Sequence, residues 1–166
     1  MIATDTNSYK SSNVISEAEL MAKLDQLKQL GKKIGWVTGS FDLMHPGHII
    51  HINTAKKKCD ILVVSIASDK YNRETRERKG RPIFTDKVRA FAVSQLKAVD
   101  FVIINEDSCN LIKKYQPHIY IKGIDYKEAN IPEAIVAAEI GTEMHYTDTE
   151  KLSTTDLIKY IKEEID

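Results

Sequence analysis

Two histidines three residues apart, His45 and His48, flank Pro46-Gly47 in the segment Gly39-Ser40-Phe41-Asp42-Leu43-Met44-His45-Pro46-Gly47-His48. Proline suits the first turn of a helix, where its missing N–H would be unpaired anyway. A helix starting there sets both imidazoles on one face at its amino end. That end also offers unpaired N–H groups and a partial positive charge. Gly47 has no Cβ, so a phosphate or a base can approach its backbone closely. The pattern describes an anion cradle with two added donors, able to stabilise charge growing on phosphate oxygens during in-line displacement. A zinc site would require a third ligand with a carboxylate or cysteine nearby, and none is evident. Gly39 is not followed by Gly-x-Gly-x-x-Gly, which argues against a dinucleotide-dependent dehydrogenase.

Three other clusters bear on anion chemistry. Arg73, Arg76, Arg78, Lys79 and Arg81 crowd a short stretch that also holds Glu74 and Glu77. A charge run of this kind is usually a solvated face. Ser153-Thr154-Thr155 stands at the start of a final amphipathic segment. One of its hydroxyls suits an N-cap, while all three with the helix N–H groups suit phosphate. Lys122-Gly123-Ile124-Asp125-Tyr126 follows an apolar run; Asp125 and Tyr126 fit either a ligand contact or an ordinary turn.

The elements that must position these groups follow from periodicity. Ser16 and Glu19 form a capping-box pattern ahead of Leu20, Leu24, Leu27 and Leu30, with a stop at Gly31. This helix is expected at the domain edge or on a partner chain. Strands are predicted over 33–38, 61–67, 101–104, 119–122 and, weakly, 143–146. Helices are predicted over 46–58, 85–98, 108–115 and 132–140, with a last one capped by Ser153. Residues 69–82 read as a charged loop and 1–14 as a flexible tail, leaving 15–166 as one domain. Strand–helix alternation implies an α/β fold, a Rossmann-like doubly wound parallel sheet. Ligands then bind beyond the carboxyl ends of the strands. That places the site among the loops 39–48, 69–82, 123–126 and 147–155.

Composition sets the outer bounds. The chain has 166 residues, and its 24 basic and 24 acidic side chains cancel. No global field points to nucleic acid or to an anionic membrane, so any anion recognition must be local. Cys59 and Cys109 form neither a metal-type pair nor a disulfide framework. No apolar run is long enough to span a bilayer, and Met1 to Asn13 lacks an apolar signal core. The expected compartment is the cytoplasm.

The segment Gly39 to His48 resembles the HxGH signature of the cytidylyltransferase-like nucleotidyltransferase superfamily. Lys79-Gly80-Arg81-Pro82-Ile83 followed by Arg89 is similar to that family's lysine loop and its following arginine. Ala98-Val99-Asp100-Phe101-Val102 resembles a segment at the family's dimer interface. Ile121 to Tyr126 resembles the nucleotide-base loop, and Ser153-Thr154-Thr155 the second signature. The resemblance spans about Lys33 to Ile161. Within the superfamily, the Gly-Arg-Pro-Ile, Ala-Val-Asp and Lys-Gly-x-Asp-Tyr stretches are most similar to the adenylyltransferase domain of bacterial ADP-heptose synthesis. Phosphoethanolamine and glycerol-3-phosphate cytidylyltransferases are also similar. The latter usually carry an arginine shortly before Ser-Thr-Thr, where Lys151 is the only nearby cation here.

What the resemblance implies is transfer of a nucleoside monophosphate from a triphosphate to a small phosphomonoester, with pyrophosphate released. ATP and D-glycero-β-D-manno-heptose 1-phosphate are the first expectation. CTP with an alcohol phosphate is the second, and a nucleotide-binding regulatory protein is the non-enzymatic alternative. His45, His48 and Lys79 take the catalytic roles. Gly39, Ser40, Phe41, Gly47, Lys122, Gly123, Asp125, Ser153, Thr154 and Thr155 bind the nucleotide. Arg76 and Arg89 face the acceptor and its phosphate. Mg2+ is expected to arrive on the triphosphate, with no metal site of the protein's own. The partners are then a nucleoside triphosphate and a phosphorylated metabolite, without nucleic acid or membrane, and a homodimer forms near Val99-Asp100.

Overall fold

Five strands form one sheet: β1 (Ile34–Gly39), β2 (Ile61–Ala67), β3 (Phe101–Asn105), β4 (Ile119–Gly123) and β5 (Glu143–Thr147). All pair in parallel, in the order β3-β2-β1-β4-β5. The computed structural model describes residues 8–75, 80–148 and 152–165. The helices are α1 (Glu17–Gln29), α2 (Pro46–Lys56), α3 (Asp69–Thr75), α4 (Asp86–Ser94), α5 (Ser108–Tyr115), α6 (Pro132–Glu139) and α7 (Thr154–Glu164). A 3-10 turn covers Ile124–Tyr126.

Side chains along a strand alternate between faces, and here both faces are apolar. Val37, Leu62, Val64, Ile66, Val102, Ile119 and Ile121 pack with Ile52 and Ala55 of α2 and Ala90 and Val93 of α4. Their alternates, Ile34, Trp36, Val63, Ile103 and Tyr120, pack with α1, α5 and α6 through Leu20, Leu24, Leu111, Ile112, Tyr115 and Val136. Burial on both faces is what a parallel sheet demands, because its crossovers carry helices to each side. The doubly wound fold is thus as the sequence implies. Among the described residues, no helix is long and apolar enough to cross a membrane.

Several expectations are corrected. Residues 69–75 form α3 rather than loop. Ser68 Oγ accepts from Tyr71 N at 3.0 Å, and the buried Asn72 amide donates to Ala67 O and Ser68 O, each at 2.9 Å. Charge dominated the composition there, and local capping decided the conformation. Helix α4 stops at Ser94, four residues before the expected end. The segment expected as a flexible tail is tied down over its later residues. Val102 N donates to Asn13 O at 2.7 Å and Ile15 N to Val102 O at 3.0 Å, which covers the outer edge of β3. Tyr9 meets Phe91 edge-on, with ring centroids 5.3 Å apart. Helix α1 packs on the sheet itself, with Leu20 and Leu24 fully buried. Near the expected dimer segment, Val99 is buried and Asp100 is engaged within the chain. Asp100 accepts from Leu62 N at 2.7 Å and pairs with Lys56 at 2.5 Å.

Strand order reverses between β1 and β4, the first strand of each half of the sheet. Consecutive crossovers leave in opposite directions there, so the loops beyond their carboxyl ends part and open a crevice.

Candidate active site

The crevice is a cavity of about 490 Å³. The loop after β1, the start of α2, the loop after β4 and the start of α7 all line it. Phe41 and Leu43 adopt left-handed backbone angles, φ 50 and 45, which costs a non-glycine residue about 1–2 kcal/mol. The surroundings hold them. The Phe41 ring is buried and meets His48 edge-on at 5.2 Å. Gly39 makes room for that ring, because a Cβ there would stand 2.8 Å from Phe41 Cε2. Arg89 Nη1 donates to Ser40 O at 2.5 Å from behind the loop.

His45 occupies the N-cap of α2 without a side-chain capping bond, and Pro46 starts the helix. The His45 and His48 rings stack, with centroids 3.8 Å apart and planes 25° off parallel. Both ring nitrogens of His45 and Nδ1 of His48 are buried and meet no hydrogen-bond partner among the described residues. Buried polar atoms normally find a partner; these have none among the described residues, and they belong to two side chains that line the cavity at a helix amino end. Gly47 shapes the same wall. A Cβ there would lie 3.0 Å from Leu152 Cβ and 3.1 Å from His45 Cε1.

Asp42 organises three segments. Its carboxylate accepts from Ile83 N at 2.8 Å and Phe84 N at 3.1 Å, and lies 3.6 Å from Arg81 Nε. Its carbonyl accepts from the buried Thr154 hydroxyl at 2.9 Å. Arg81 Nη1 in turn donates to Thr155 Oγ1 at 3.2 Å. A cation therefore does stand beside the Ser-Thr-Thr segment, but it comes from the stretch between α3 and α4. Ser153 behaves as an N-cap: its Oγ accepts from Asp156 N at 3.1 Å and bonds the Asp156 carboxylate at 2.6 Å. The Ser153 and Thr154 hydroxyls are thus engaged within the protein, and the N–H groups opening α7 and the Arg81 guanidinium stand beside them at this corner.

The opposite end of the cavity carries Lys122, Gly123, Asp125 and Tyr126. Lys122 is buried, pairs with Glu133 at 3.0 Å, and lies over the Tyr126 ring at 5.0 Å. Gly123 leaves room for the Asp125 carboxylate, which a Cβ would meet at 2.5 Å. Burial first, then the neighbouring imidazoles and Arg81, push the His48 pKa down to about 4. Burial, then Lys122, does the same to His51, also to about 4. His45 is lowered by burial alone. Burial thus keeps these imidazoles neutral, and among the described residues the charged lining consists of Arg81 and Lys122 with Asp42, Asp125 and Asp156.

Of the residues singled out in the sequence, Gly39, Ser40, Phe41, His45, Gly47, His48, Lys122, Gly123, Asp125, Ser153, Thr154 and Thr155 all line this cavity. Lys79, Arg76 and Lys151 lie outside the described residues. Arg89 points inward, but not toward a phosphate. It is 1 % exposed, and its guanidinium serves Phe84 O, Ser40 O, Ala67 O and the Asp69 carboxylate. It is a positioning residue for the β1 loop and does not line the cavity. Among the lining residues that escaped the site reading are Arg81 and His51. Arg81 was one of five cations in a run, and nothing local separated it from the rest. His51 continues the i, i+3 spacing of His45 and His48, a signal that was available. Among the described residues, no group of three or more His, Cys, Asp or Glu is placed to hold a metal ion.

Comparison with known proteins follows the same lines. Residues 36–160 match the family model described as cytidylyltransferase-like. The chain is 37% identical over 153 residues to the bifunctional protein HldE of Rhodopseudomonas palustris (strain BisB5), covering 89% of this chain and 31% of that protein. It is 35% identical over 142 residues to the bifunctional protein HldE of Helicobacter pylori (strain HPAG1), covering 84% of this chain and 30% of the relative. The chain thus spans about a third of the length of these relatives. Among solved structures, the lipopolysaccharide core biosynthesis protein from Thermoplasma volcanium GSS1 superposes with a TM-score of 0.62 at 27% identity. That match covers 73% of this chain and all of the other.

Proposed function

The chain belongs to the cytidylyltransferase-like family, and from that premise we propose that it is a nucleotidyltransferase. It moves a nucleoside monophosphate from a triphosphate to a small phosphomonoester and releases pyrophosphate. The observation that carries this reading is the stacked His45–His48 pair at the start of α2, two side chains that line the cavity and hold three buried, unpartnered ring nitrogens between them. The finer reading is ATP as donor and D-glycero-β-D-manno-heptose 1-phosphate as acceptor. The HldE relatives and the Gly-Arg-Pro-Ile, Ala-Val-Asp and Lys-Gly-x-Asp-Tyr stretches favour it over a cytidylyltransferase.

In this mechanism an oxygen of the acceptor phosphate attacks the α-phosphorus. The bond from that phosphorus to the bridging oxygen of the β-phosphate breaks, and pyrophosphate leaves with the electron pair. A phosphomonoester is already anionic near neutral pH, its second pKa being about 6. No strong base is required, and the chemistry rests on positioning and charge stabilisation. His45 and His48 donate N–H groups to phosphate oxygens. Arg81 and the N–H groups opening α7 hold the triphosphate tail, and Lys79, on the family resemblance, neutralises the transferring group. Mg2+ enters as part of the triphosphate substrate, since it favours phosphate and water oxygens. Gly123, Asp125 and Lys122 receive the nucleoside.

The test is a matrix of ATP and CTP against heptose 1-phosphate, phosphoethanolamine and glycerol 3-phosphate, read as pyrophosphate release. His48→Ala is expected to lower kcat by at least about 10²-fold, the effect of losing one preorganised donor, with an unchanged circular dichroism spectrum. Wild-type turnover in that variant would refute the role. Nucleotide binding without pyrophosphate release under every pairing would point to a regulatory protein instead. A homodimer belongs to the same reading on the family resemblance alone. Sedimentation at micromolar concentration should give twice the 18.8 kDa chain mass, and a monomer would remove it.

A further inference from the structure

His51 lines the cavity, yet its ring is wired differently from those of His45 and His48. Its Nδ1 lies 2.7 Å from Thr147 Oγ1. Thr147 is 1 % exposed, and its hydroxyl donates to Lys122 O at 3.3 Å. A threonine hydroxyl has one hydrogen. With that hydrogen directed to Lys122 O, Thr147 accepts from His51 and Nδ1 carries the proton, an assignment that the tautomer measurement tests. Nε2 is then a lone pair with no partner among the described residues, on a side chain that lines the cavity. Burial and Lys122 keep the ring neutral at physiological pH. An exposed lone pair is a poor match for phosphate and a good match for an O–H.

Position along α2 narrows the ligand group. His51 stands one step of three residues beyond His48, which is about 4.5 Å farther from the helix amino end. It is also on the side of Lys122 and Asp125, the two charges that bear on its titration. A group that distance past a bound phosphate belongs to the sugar attached to it.

We infer that His51 is a specificity-determining residue whose Nε2 accepts a hydrogen bond from a hydroxyl of the sugar carrying a phosphate in the site. The inference rests on the nucleotidyl-transfer reading above. That sugar is either the ribose of the triphosphate or the ring of the acceptor, and the arms of one experiment separate them.

Nitrogen-15 NMR of the free protein should find His51 as the Nδ1–H tautomer, and an Nε2–H tautomer would overturn the inference. Pyrophosphate release is then measured with ATP, 2′-deoxy-ATP and 3′-deoxy-ATP, and with the acceptor sugar 1-phosphate against its 2-deoxy analogue. Wild type should favour the hydroxylated form of one partner about tenfold in kcat/KM, the worth of one hydrogen bond. Loss of preference in the ATP arm assigns the ribose; loss in the other arm assigns the acceptor. His51→Phe should erase that preference. His51→Gln, whose amide oxygen also accepts, should restore part of it, which a purely structural role would not do. Unchanged discrimination in a His51→Phe variant that still turns over would overturn this inference alone. Absence of turnover in the wild type would overturn the transfer reading and this inference with it.

Discussion

His48 is the residue on which burial, neighbours and ligand act most directly. Desolvation, His45, His51 and Arg81 all disfavour its cation, and only Asp42 opposes them. A bound triphosphate adds strong negative charge at the same place and works in the opposite sense. The His48 titration followed by NMR is expected near pH 4 in the free protein and should move upward on addition of ATP. A midpoint near the ordinary 6.5 in the free protein would show that the pocket does not desolvate the ring. The neutral rings also explain why two histidines can stack at 3.8 Å without mutual repulsion.

At the scale of elements, the site depends on loops held from outside the cavity. Arg89 on α4 ties the carbonyl of Ser40 to the end of β2 and to Asp69 of α3. The pair is nearly dry, with side chains 1% and 14% exposed. Removing one partner leaves an uncompensated buried charge, so Arg89→Ala should cost about 3–5 kcal/mol in urea unfolding. Arg89→Lys cannot reproduce the planar fork and should recover only part of that loss. A variant of wild-type stability would show that the β1 loop keeps its strained turn without this clamp. Asp42 plays the complementary part, joining residues 83–84 and α7 to the same turn.

Across the whole molecule, the depressed histidines couple acid to unfolding. His48 and His51 titrate near 4 when folded and near 6.5 when unfolded. Between those values the unfolded chain binds more protons, so stability rises with pH across that window. It should be full above about pH 6.5 and fall as pH drops toward 4, by up to roughly 3 kcal/mol per group. Urea midpoints at pH 7 and pH 5 check this. Equal midpoints, once carboxylate effects are matched by His48→Phe and His51→Phe controls, would contradict it.

The sequence by itself determined the layers and the helix start that carries His45 and His48. Runs such as Ile61 to Ala67 carry apolar β-branched side chains at nearly every position, which only a strand covered on both faces accommodates. Pro46 and Gly47 announce their helix and its open amino end through local chemistry alone. Tertiary structure decided the rest, because those choices depend on partners far away in the chain. The 69–75 stretch looked like solvated loop until Ser68 and Asn72 found their bonds. Arg89 looked phosphate-facing until its guanidinium met Ser40, Ala67 and Asp69. Arg81 became the cation beside Thr155 only by closing a span of 74 residues. His51 met the Thr147 hydroxyl, 96 residues away. A side chain's type limits the bonds it can make; which of them form depends on what folding brings within 3 Å.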